Sequence, residues 1–252
     1  MTGKRADIAL VERGLFTSRA KAQAAIAAGK CFADGVRIAK PSDLVLDTAA
    51  ITAEPAHPWV GRAALKLEHA FETWPLDVEG KAVLDIGAST GGFTEVCLSR
   101  GARIVYAVDV GQGQLAPVIA GDGRVRNLER TDARSLDRIQ VPAPIDLVVC
   151  DASFISLEKI LPVPLSLAVE GATLICLVKP QFEAGPERVG KGGIVRDEAV
   201  RTACLERVET WLNHSGWRVR GTAASPITGS DGNVEFLLMA TKERTAQSLG
   251  RP

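Results

Sequence analysis

The hydrophobic pattern of the chain changes character between residues 55 and 61. Before that point, residues 4–14 and 18–28 have the apolar spacing of two short helices. The sequences KCFA and VRIA follow on either side of Asp34-Gly35, a dipeptide that suits the tight turn of a β-hairpin. The pattern therefore predicts a small α+β domain over residues 1–55.

The segment EPAHPWVG contains two prolines and has neither helical nor alternating spacing, so we expect a linker at 56–61. Beyond it we expect short strands at the apolar runs 82–86, 103–109, 145–150 and 172–178. Helical spacing separates these runs, near residues 62–74, 92–100, 154–168 and 197–214. The alternation predicts a Rossmann-like α/β domain over 62–242, with a parallel sheet covered by helices on both faces. Residues 243–252 are expected to form a flexible tail.

Charge is unevenly distributed, although the formal net charge of the chain is zero. Residues 1–40 contain eight Lys and Arg against three acidic residues, which leaves a net charge of −5 on the remainder. Because phosphate contacts require local positive charge, the basic segment suggests a polyanionic partner. A chance cluster of charges on a solvated face is the alternative interpretation.

Cysteine usage and hydropathy narrow the class of protein. The five cysteines are scattered without CxxC spacing, which fits a reducing cytoplasm and predicts no metal site. The longest stretch without a charged residue, 110–121, is interrupted by glycine and proline, and the N-terminus lacks the apolar core of a signal sequence. We therefore expect a cytoplasmic protein without a membrane span.

A glycine-rich turn marks a candidate cofactor site. The strand KAVLDI runs directly into GASTGGF, so the turn joins the carboxyl end of a strand to a helix, where ligands of doubly wound sheets bind. The form DxGxxxGGF favours a methionine-type cofactor over the GxGxxG of dinucleotide sites. Asp109 then follows the second strand, where a carboxylate can accept hydrogen bonds from ribose hydroxyls, and Asp132 follows the third, near the expected adenine position. A helix cap or a turn is the alternative role for each aspartate.

A second glycine-rich segment, GPERVGKGG at 185–193, approaches the spacing of a Walker A loop. Gly192, however, stands where that loop needs a Ser or Thr hydroxyl to bind magnesium. The segment also does not join a strand directly to a helix. We interpret it as a flexible loop on the substrate side.

Four charged residues stand at or near predicted element ends. Asp151 follows the strand DLVVC, Lys179 follows LICLV, Glu235 lies in VEFLLMA, and Lys66 lies near the start of the first helix of the second domain. The doubly wound strand order would bring Asp151 and Lys179 to the crevice of the glycine turn. A ribose 2′-hydroxyl is a poor nucleophile, and its methylation needs a base or an ammonium, with carboxylates to position it. Ordinary salt bridges at strand ends are the alternative.

The order of these motifs resembles the TlyA family of rRNA methyltransferases, whose catalytic domain is similar to the FtsJ family of ribose 2′-O-methyltransferases. The resemblance covers residues 4–240 through RAALKLEHA, DIGASTGGF, VDVG, DASFISL, LVKPQFEAG, VGKGGIVRD and SDGNVEF. Residues 5–42 resemble an S4 domain, a small RNA-binding fold. The resemblance implies S-adenosylmethionine as cofactor and ribosomal RNA or ribosomal subunits, not DNA, as partner. It implies methyl transfer to a ribose 2′-hydroxyl, with a cytidine of 16S or 23S rRNA as the expected target.

The same resemblance assigns roles to individual residues. It implies a catalytic tetrad in which Lys179 activates the 2′-hydroxyl, made of Lys66, Asp151, Lys179 and Glu235. The expected cofactor contacts are Asp85, Gly87, Ala88, Ser89, Gly91, Gly92, Phe93, Asp109, Asp132 and Asp151. The expected RNA contacts are Arg5, Arg19, Lys21, Lys40 and Arg62. The chain departs from the family pattern at Asp132, where Asn is common, and at 113–123, which lacks the usual basic residues.

Three other functions compete with this interpretation. Base methylation shares the cofactor fold, but the chain has no NPPY-like tetrapeptide, and Cys150 and Cys176 lie inside predicted strands. RNA binding or ribosome assembly without catalysis is the second alternative. The third is membrane activity, because relatives in the TlyA family have carried a haemolysin label, although the sequence has no span and no strongly basic amphipathic helix.

Overall fold

The computed structural model describes residues 3–229 and 231–244 of the chain. Two compact units are present, Met1–Pro58 and Trp59–Pro252, and the division between them falls within the segment 56–61. The predicted tail at 243–252 lies outside the described residues from residue 245 onward. None of the helices in the described part of the chain is long and apolar enough to cross a membrane.

The first unit combines two short helices with two small antiparallel sheets. Its elements are β1 (Gly3–Arg5), α1 (Ala6–Glu12), α2 (Arg19–Ala27), β2 (Cys31–Ala33), β3 (Val36–Arg37), β4 (Leu44–Leu46) and β5 (Ile51–Ala53). Strand β1 pairs with β4, and β2 lies between β3 and β5. Asp34 and Gly35 have φ angles of 48° and 77°, which the hairpin turn between β2 and β3 requires. The predicted hairpin is confirmed, whereas the first helix begins later than predicted because residues 4 and 5 belong to β1.

The second unit alternates strands with helices. Its elements are α3 (Ala64–Thr73), β6 (Ala82–Ile86), α4 (Gly92–Ser99), β7 (Ile104–Val108), α5 (Pro117–Ala120), β8 (Val125–Leu128), β9 (Ile145–Cys150), α6 (Leu157–Ile160), α7 (Pro162–Ser166), β10 (Ala168–Val178), α8 (Pro180–Glu183), α9 (Glu198–His214), β11 (Trp217–Ala224) and β12 (Phe236–Lys242). The strands form one seven-stranded sheet in the order β11-β12-β10-β9-β6-β7-β8.

Five neighbouring strands of this sheet, from β10 through β8, run parallel, whereas β12 is antiparallel to both β10 and β11. The expectation of a wholly parallel sheet is therefore wrong at one edge. Consecutive residues of β6 contribute to opposite cores, with Val83 on one face and Leu84 on the other. Helices α3, α4 and α5 cover the first face, and α6, α7 and α9 cover the second. The Rossmann-like fold with helices on both faces is confirmed.

One predicted helix needs correction, and two strands were not predicted. The helical stretch expected at 154–168 is two short helices, α6 and α7, because Pro162 lacks the N–H that would continue the first one. The apolar runs did not reveal β8 and β11, whose sequences VRNL and WRVRGTAA mix polar with apolar residues. Both strands lie at an edge of the sheet, where one face or one side is open to water.

The strand order places a crevice beside β6. From β6 the chain proceeds to β7 on one side, and it returns to β9 on the other side. The segments that follow β6 and β9 diverge at this point, which is where ligands bind in doubly wound sheets. Residues 87–90 and 151–155 line this crevice.

Candidate active site

Four charged side chains from distant parts of the sequence meet in the second unit. Lys66 on α3 donates to Glu235 Oε2 at 2.6 Å and approaches the two carboxylate oxygens of Asp151 at 3.3 and 3.4 Å. Lys179, directly after β10, lies 2.8 Å from Asp151 Oδ1. The structure thus brings together all four residues of the tetrad that the resemblance implied. Glu235 precedes β12 instead of lying within it.

The four charges form a neutral, largely buried cluster of two ammonium and two carboxylate groups. The side chains of Lys66 and Lys179 are each 7% exposed, whereas that of Asp151 is 13% exposed and lies between the two lysines. Buried charges are costly unless each is paired, and the alternation Glu–Lys–Asp–Lys pairs every member. The cluster is more than a set of surface ion pairs, because three of its four members are almost fully enclosed.

Lys179 has three acceptors around its Nζ. Besides the Asp151 carboxylate, it donates to the main-chain oxygen of Asp151 and to Ser153 Oγ, both at 2.9 Å. Three acceptors match the three N–H bonds of an ammonium. Two of these acceptors belong to one residue at the end of β9, and the third is a neutral, exposed hydroxyl.

Two cavities open beside this cluster. The larger has a volume of about 800 Å³, and its lining includes Lys66, Lys179 and Glu235. The smaller has a volume of about 510 Å³, and its lining includes Asp109 and Asp132. Both volumes are typical of small-molecule sites. Five residues line both cavities and form what we call the shared wall, namely Gly87, Ser89, Asp151, Ser153 and Phe154.

The glycine-rich turn is shaped by close approach of the backbone. Gly87 has a φ of +81°, and a Cβ there would lie 2.9 Å from the Cα of Ala152, so a side chain has neither the conformation nor the space. Gly91 has a φ of +93° and is the N-terminal cap of α4, where a Cβ would meet Leu115 at 2.8 Å. Gly87 lines both cavities, whereas Gly91 lines neither and supports the turn from behind.

Asp109 follows β7 at the edge of the smaller cavity. Its Oδ2 accepts from the Ser89 N–H at 2.8 Å, and its Oδ1 accepts from the Gly111 N–H at 2.7 Å. Each carboxylate oxygen retains the capacity to accept a second hydrogen bond, as a ribose diol requires. The glycine cradle, this carboxylate and the size of the cavity together fit an adenosyl cofactor with an amino-acid end.

Two other predicted cofactor residues have different surroundings. Asp132 lines the smaller cavity, but its carboxylate is held by the guanidinium of Arg134 at 2.6 Å, which lowers the pKa of Asp132. Asp85 lines neither cavity: it is fully buried at the end of β6 and accepts from the Thr94 hydroxyl at 2.6 Å. Burial raises the pKa of Asp85 to about 7. The remaining predicted contacts, Ala88, Gly92 and Phe93, line the larger cavity.

Ser153 and Phe154 were not predicted as site residues, although the motif DASFISL contains both. Phe154 has a φ of +66° and a side chain that is 90% exposed. Its ring lies 5.1 Å from the ring of Phe182, which lines the larger cavity. An aromatic residue three positions after a strand-end aspartate was the signal that could have revealed it. The segment is held from behind, because the Leu157 N–H donates to the buried Glu183 carboxylate at 2.8 Å.

The predicted RNA contacts differ in how free their side chains are. Arg5 and Arg19 are exposed, but both bond the fully buried carboxylate of Asp7, which also accepts from Gln23 at 2.7 Å. These bonds lower the pKa of Asp7. Lys21 and Lys40 are exposed on the first unit. Arg62 is exposed in the second unit and lines the larger cavity.

Comparison with known proteins agrees with this geometry. A family model described as FtsJ-like methyltransferase matches residues 59–242. The 16S/23S rRNA (cytidine-2'-O)-methyltransferase TlyA of Mycobacterium tuberculosis is 47% identical over 93% of this chain and 88% of that protein. Hemolysin A of Brachyspira hyodysenteriae is 38% identical over 92% of this chain and 98% of that protein. A solved structure from Streptococcus thermophilus, designated a candidate hemolysin, has a TM-score of 0.76 at 38% identity and covers 97% of this chain and 90% of its own. The resemblance is confirmed: the chain belongs to the FtsJ-like methyltransferase family and is an S-adenosylmethionine-dependent methyltransferase.

Proposed function

We propose that this enzyme transfers a methyl group to a ribose 2′-hydroxyl of ribosomal RNA. The observation that carries the proposal is the buried Lys66–Asp151–Lys179–Glu235 cluster, because it adjoins both cavities through Asp151. Ribose O2′ is a weak nucleophile that must lose its proton, whereas a thiolate or a ring nitrogen with a free lone pair would not need a buried cluster of lysines and carboxylates.

The chemistry divides between the cofactor and the protein. When bound, S-adenosylmethionine would supply an electrophilic methyl group and would leave as a neutral thioether with the electron pair of the C–S bond. O2′ forms the new bond to carbon and releases its proton, which Asp151 can accept or pass to solvent through its 13% exposed side chain. Lys179 stabilises the negative charge that develops on O2′, and Lys66 with Glu235 holds Asp151 in place.

An RNA substrate fits the rim of the larger cavity. The exposed ring of Phe154, backed by Phe182, offers a face on which an unstacked base can lie. Arg62 on the same cavity can bond a phosphate. The first unit, which we propose to be an S4-like RNA-binding domain, carries Arg5, Arg19, Lys21 and Lys40 as exposed cations. Its charge is only mildly positive, because residues 1–58 contain eight Lys and Arg against six acidic residues.

The names of the relatives narrow the expected target. The Mycobacterium tuberculosis protein is named for cytidine 2′-O-methylation of 16S and 23S rRNA. We infer a cytidine in one or both ribosomal RNAs as the target of this chain, within a ribosomal subunit or its naked RNA. Residues 113–123 lack basic residues, so contacts to RNA near Gln114 are not part of the proposal.

The test uses the purified full-length chain with methyl-labelled S-adenosylmethionine and ribosomal subunits or RNA from a strain that lacks the gene. We expect label in 2′-O-methylcytidine after digestion of the RNA to nucleosides. Lys179→Ala is expected to lose methyl transfer while cofactor affinity, measured by calorimetry, stays within about twofold, because Lys179 does not line the smaller cavity.

Other outcomes would point elsewhere. Label on a base would contradict ribose transfer and leave the methyltransferase assignment intact. Full activity of Lys179→Ala would remove this residue from the mechanism. Lysis of liposomes by the pure protein at the concentrations used for transfer would support the membrane activity that the hemolysin names suggest.

A further inference from the structure

Ser153 is the third partner of the Lys179 ammonium and differs from the other two. The carboxylate and the main-chain oxygen of Asp151 are fixed at the end of β9, and both belong to a partly buried residue. Ser153 Oγ, by contrast, is the neutral hydroxyl of an exposed residue, 2.9 Å from Nζ. Of the three acceptors, it alone also carries a hydrogen that it can donate to a ligand.

The ammonium itself is poorly placed to meet a substrate first. The side chain of Lys179 is 7% exposed, and its Nζ donates two hydrogen bonds and forms an ion pair with the Asp151 carboxylate at 2.8 Å. Lys179 and Ser153 both line the larger cavity, but the acceptors around Nζ already engage the ammonium, whereas the Ser153 hydroxyl has a hydrogen to offer. Among residues 3–229 and 231–244, no side chain or main-chain oxygen accepts the hydroxyl hydrogen of Ser153, so this donor is available to a ligand.

Ser153 also lies where donor and acceptor of the methyl group must meet. It belongs to the shared wall, so it contacts the cofactor side and the substrate side. A hydroxyl that accepts a hydrogen bond from an ammonium is polarised and becomes a stronger donor. The loop that contains Ser153 is anchored, because the N–H of Leu157, four residues later, donates a hydrogen bond to the Glu183 carboxylate.

We propose that Ser153 is a further catalytic residue, whose hydroxyl donates a hydrogen bond to the ribose 2′-oxygen and connects that oxygen to the Lys179 ammonium. The inference rests on the proposed function. Ser153 supplies no proton and forms no bond to carbon, and it places O2′ with one lone pair directed at the methyl group. The positive charge of Lys179 reaches the substrate through this hydroxyl.

The experiment compares Ser153→Ala and Ser153→Thr with wild type, using the full chain and the RNA that wild type methylates. For Ser153→Ala we expect kcat to fall by about a hundred- to a thousandfold, the usual effect of removing one oriented donor, while cofactor affinity falls far less than kcat and the thermal midpoint stays unchanged. Ser153→Thr keeps the hydroxyl and is expected to restore kcat to within about threefold of wild type. A role of Ser153 in packing alone would not give this rescue, because Thr restores the hydroxyl and adds a methyl group.

Ser156→Ala is the matched control. Ser156 is in the same loop, its side chain makes no hydrogen bond among the described residues, and it lines neither cavity. Its substitution is expected to leave kcat unchanged. A Ser153→Ala enzyme with wild-type kcat would overturn the proposal, since Ser153 would then be a group that the substrate displaces. Equal losses in both alanine variants would overturn it as well, because the loop as a whole would be responsible.

The readout separates this inference from the proposed function. Total methyl transfer is counted from the labelled cofactor before the modified nucleoside is identified. If wild type methylates a base, the proposed function fails. In that case we expect Ser153→Ala and Ser153→Thr to have the same kcat relative to wild type, because a hydroxyl at this position would have no role. If wild type methylates a ribose and the ratio is one, the inference about Ser153 alone fails.

Discussion

The buried pair of Lys66 and Glu235 allows a quantitative test of the charge cluster. Replacing Lys66 with Met keeps most of the side-chain volume and removes the cation that lies 2.6 Å from Glu235 and 3.3 Å from Asp151. At an effective dielectric constant of about 20, Coulomb's law gives attractions of about 6 and 5 kcal/mol at these separations. The loss of solvation on burial offsets most of this gain.

The single variant leaves the cluster with a net charge of −1 in a site from which water is largely excluded. Removing one partner of a buried pair costs about 3 to 5 kcal/mol, so Lys66→Met is expected to lower the free energy of unfolding by that amount. The double variant Lys66→Met/Glu235→Met restores neutrality, because Asp151 retains Lys179 at 2.8 Å. We expect the double variant to lie within about 2 kcal/mol of wild type.

Urea unfolding followed by tryptophan fluorescence measures these differences in the second unit alone, because all four tryptophans follow residue 58. Methyl transfer provides the second readout. The double variant is expected to regain stability and to remain at least about tenfold less active, since Asp151 has lost the group that orients it. Additive costs, with the double variant as unstable as the sum of the two single variants, would refute the reasoning that Lys66 and Glu235 compensate each other.

Three further predictions follow from the cavities and the buried acid. Gly87→Ala is expected to weaken cofactor binding at least about tenfold in calorimetry, because a Cβ there would clash with Ala152. Gly80→Ala is the control and should leave cofactor affinity unchanged, because Gly80 also has a positive φ, +70°, but has open space around it. Phe154→Ala should raise KM for RNA, because about 1 to 3 kcal/mol of base stacking is lost, and should not lower stability. Ile139→Ala is the control, since Ile139 is equally exposed and lines neither cavity. The pKa of Asp85 rises on folding from 3.8 to about 7, so the folded state binds the proton more tightly and stability falls as pH rises through this range. In urea titrations, the free energy of unfolding of wild type should fall by about 2 to 3 kcal/mol between pH 5 and 8, and Asp85→Asn should abolish this fall.

Periodicity predicted the fold well wherever apolar residues formed uninterrupted runs. The strands β6 and β9 and residues 172–178 of β10 are buried on both faces, so their sequences are rich in valine, leucine and isoleucine. The edge strand β11 instead alternates buried Trp217 with exposed Arg218, and its direction depends on pairing with β12. The antiparallel edge therefore could not be inferred from hydrophobic runs, because pairing partners are set by tertiary structure.

The candidate site was predictable where function depends on residues at strand ends. Asp151 and Lys179 follow parallel neighbours, so their proximity follows from topology once the strand order is known. The contact between Lys66 and Glu235 joins residues 169 positions apart, and no local pattern encodes it. The positive φ of Phe154 and the contact of Ser153 with Lys179 also depend on how the loop is anchored, and so they emerged only from the structure.

The shared wall explains why one set of residues must serve two ligands. Methyl transfer requires the cofactor sulfur, the methyl carbon and the acceptor oxygen to lie nearly in line, so the two cavities must meet at the reacting carbon. Asp151 and Ser153 line both cavities, whereas Lys66 and Glu235 line the larger one and Asp109 the smaller one. Substitutions of Asp109 should therefore act on cofactor affinity, and substitutions of Lys66 or Glu235 on kcat. Substitution of a residue of the shared wall such as Asp151 should change both cofactor affinity and kcat. Comparing these two changes for each substituted residue would locate the transferred methyl group without a bound ligand.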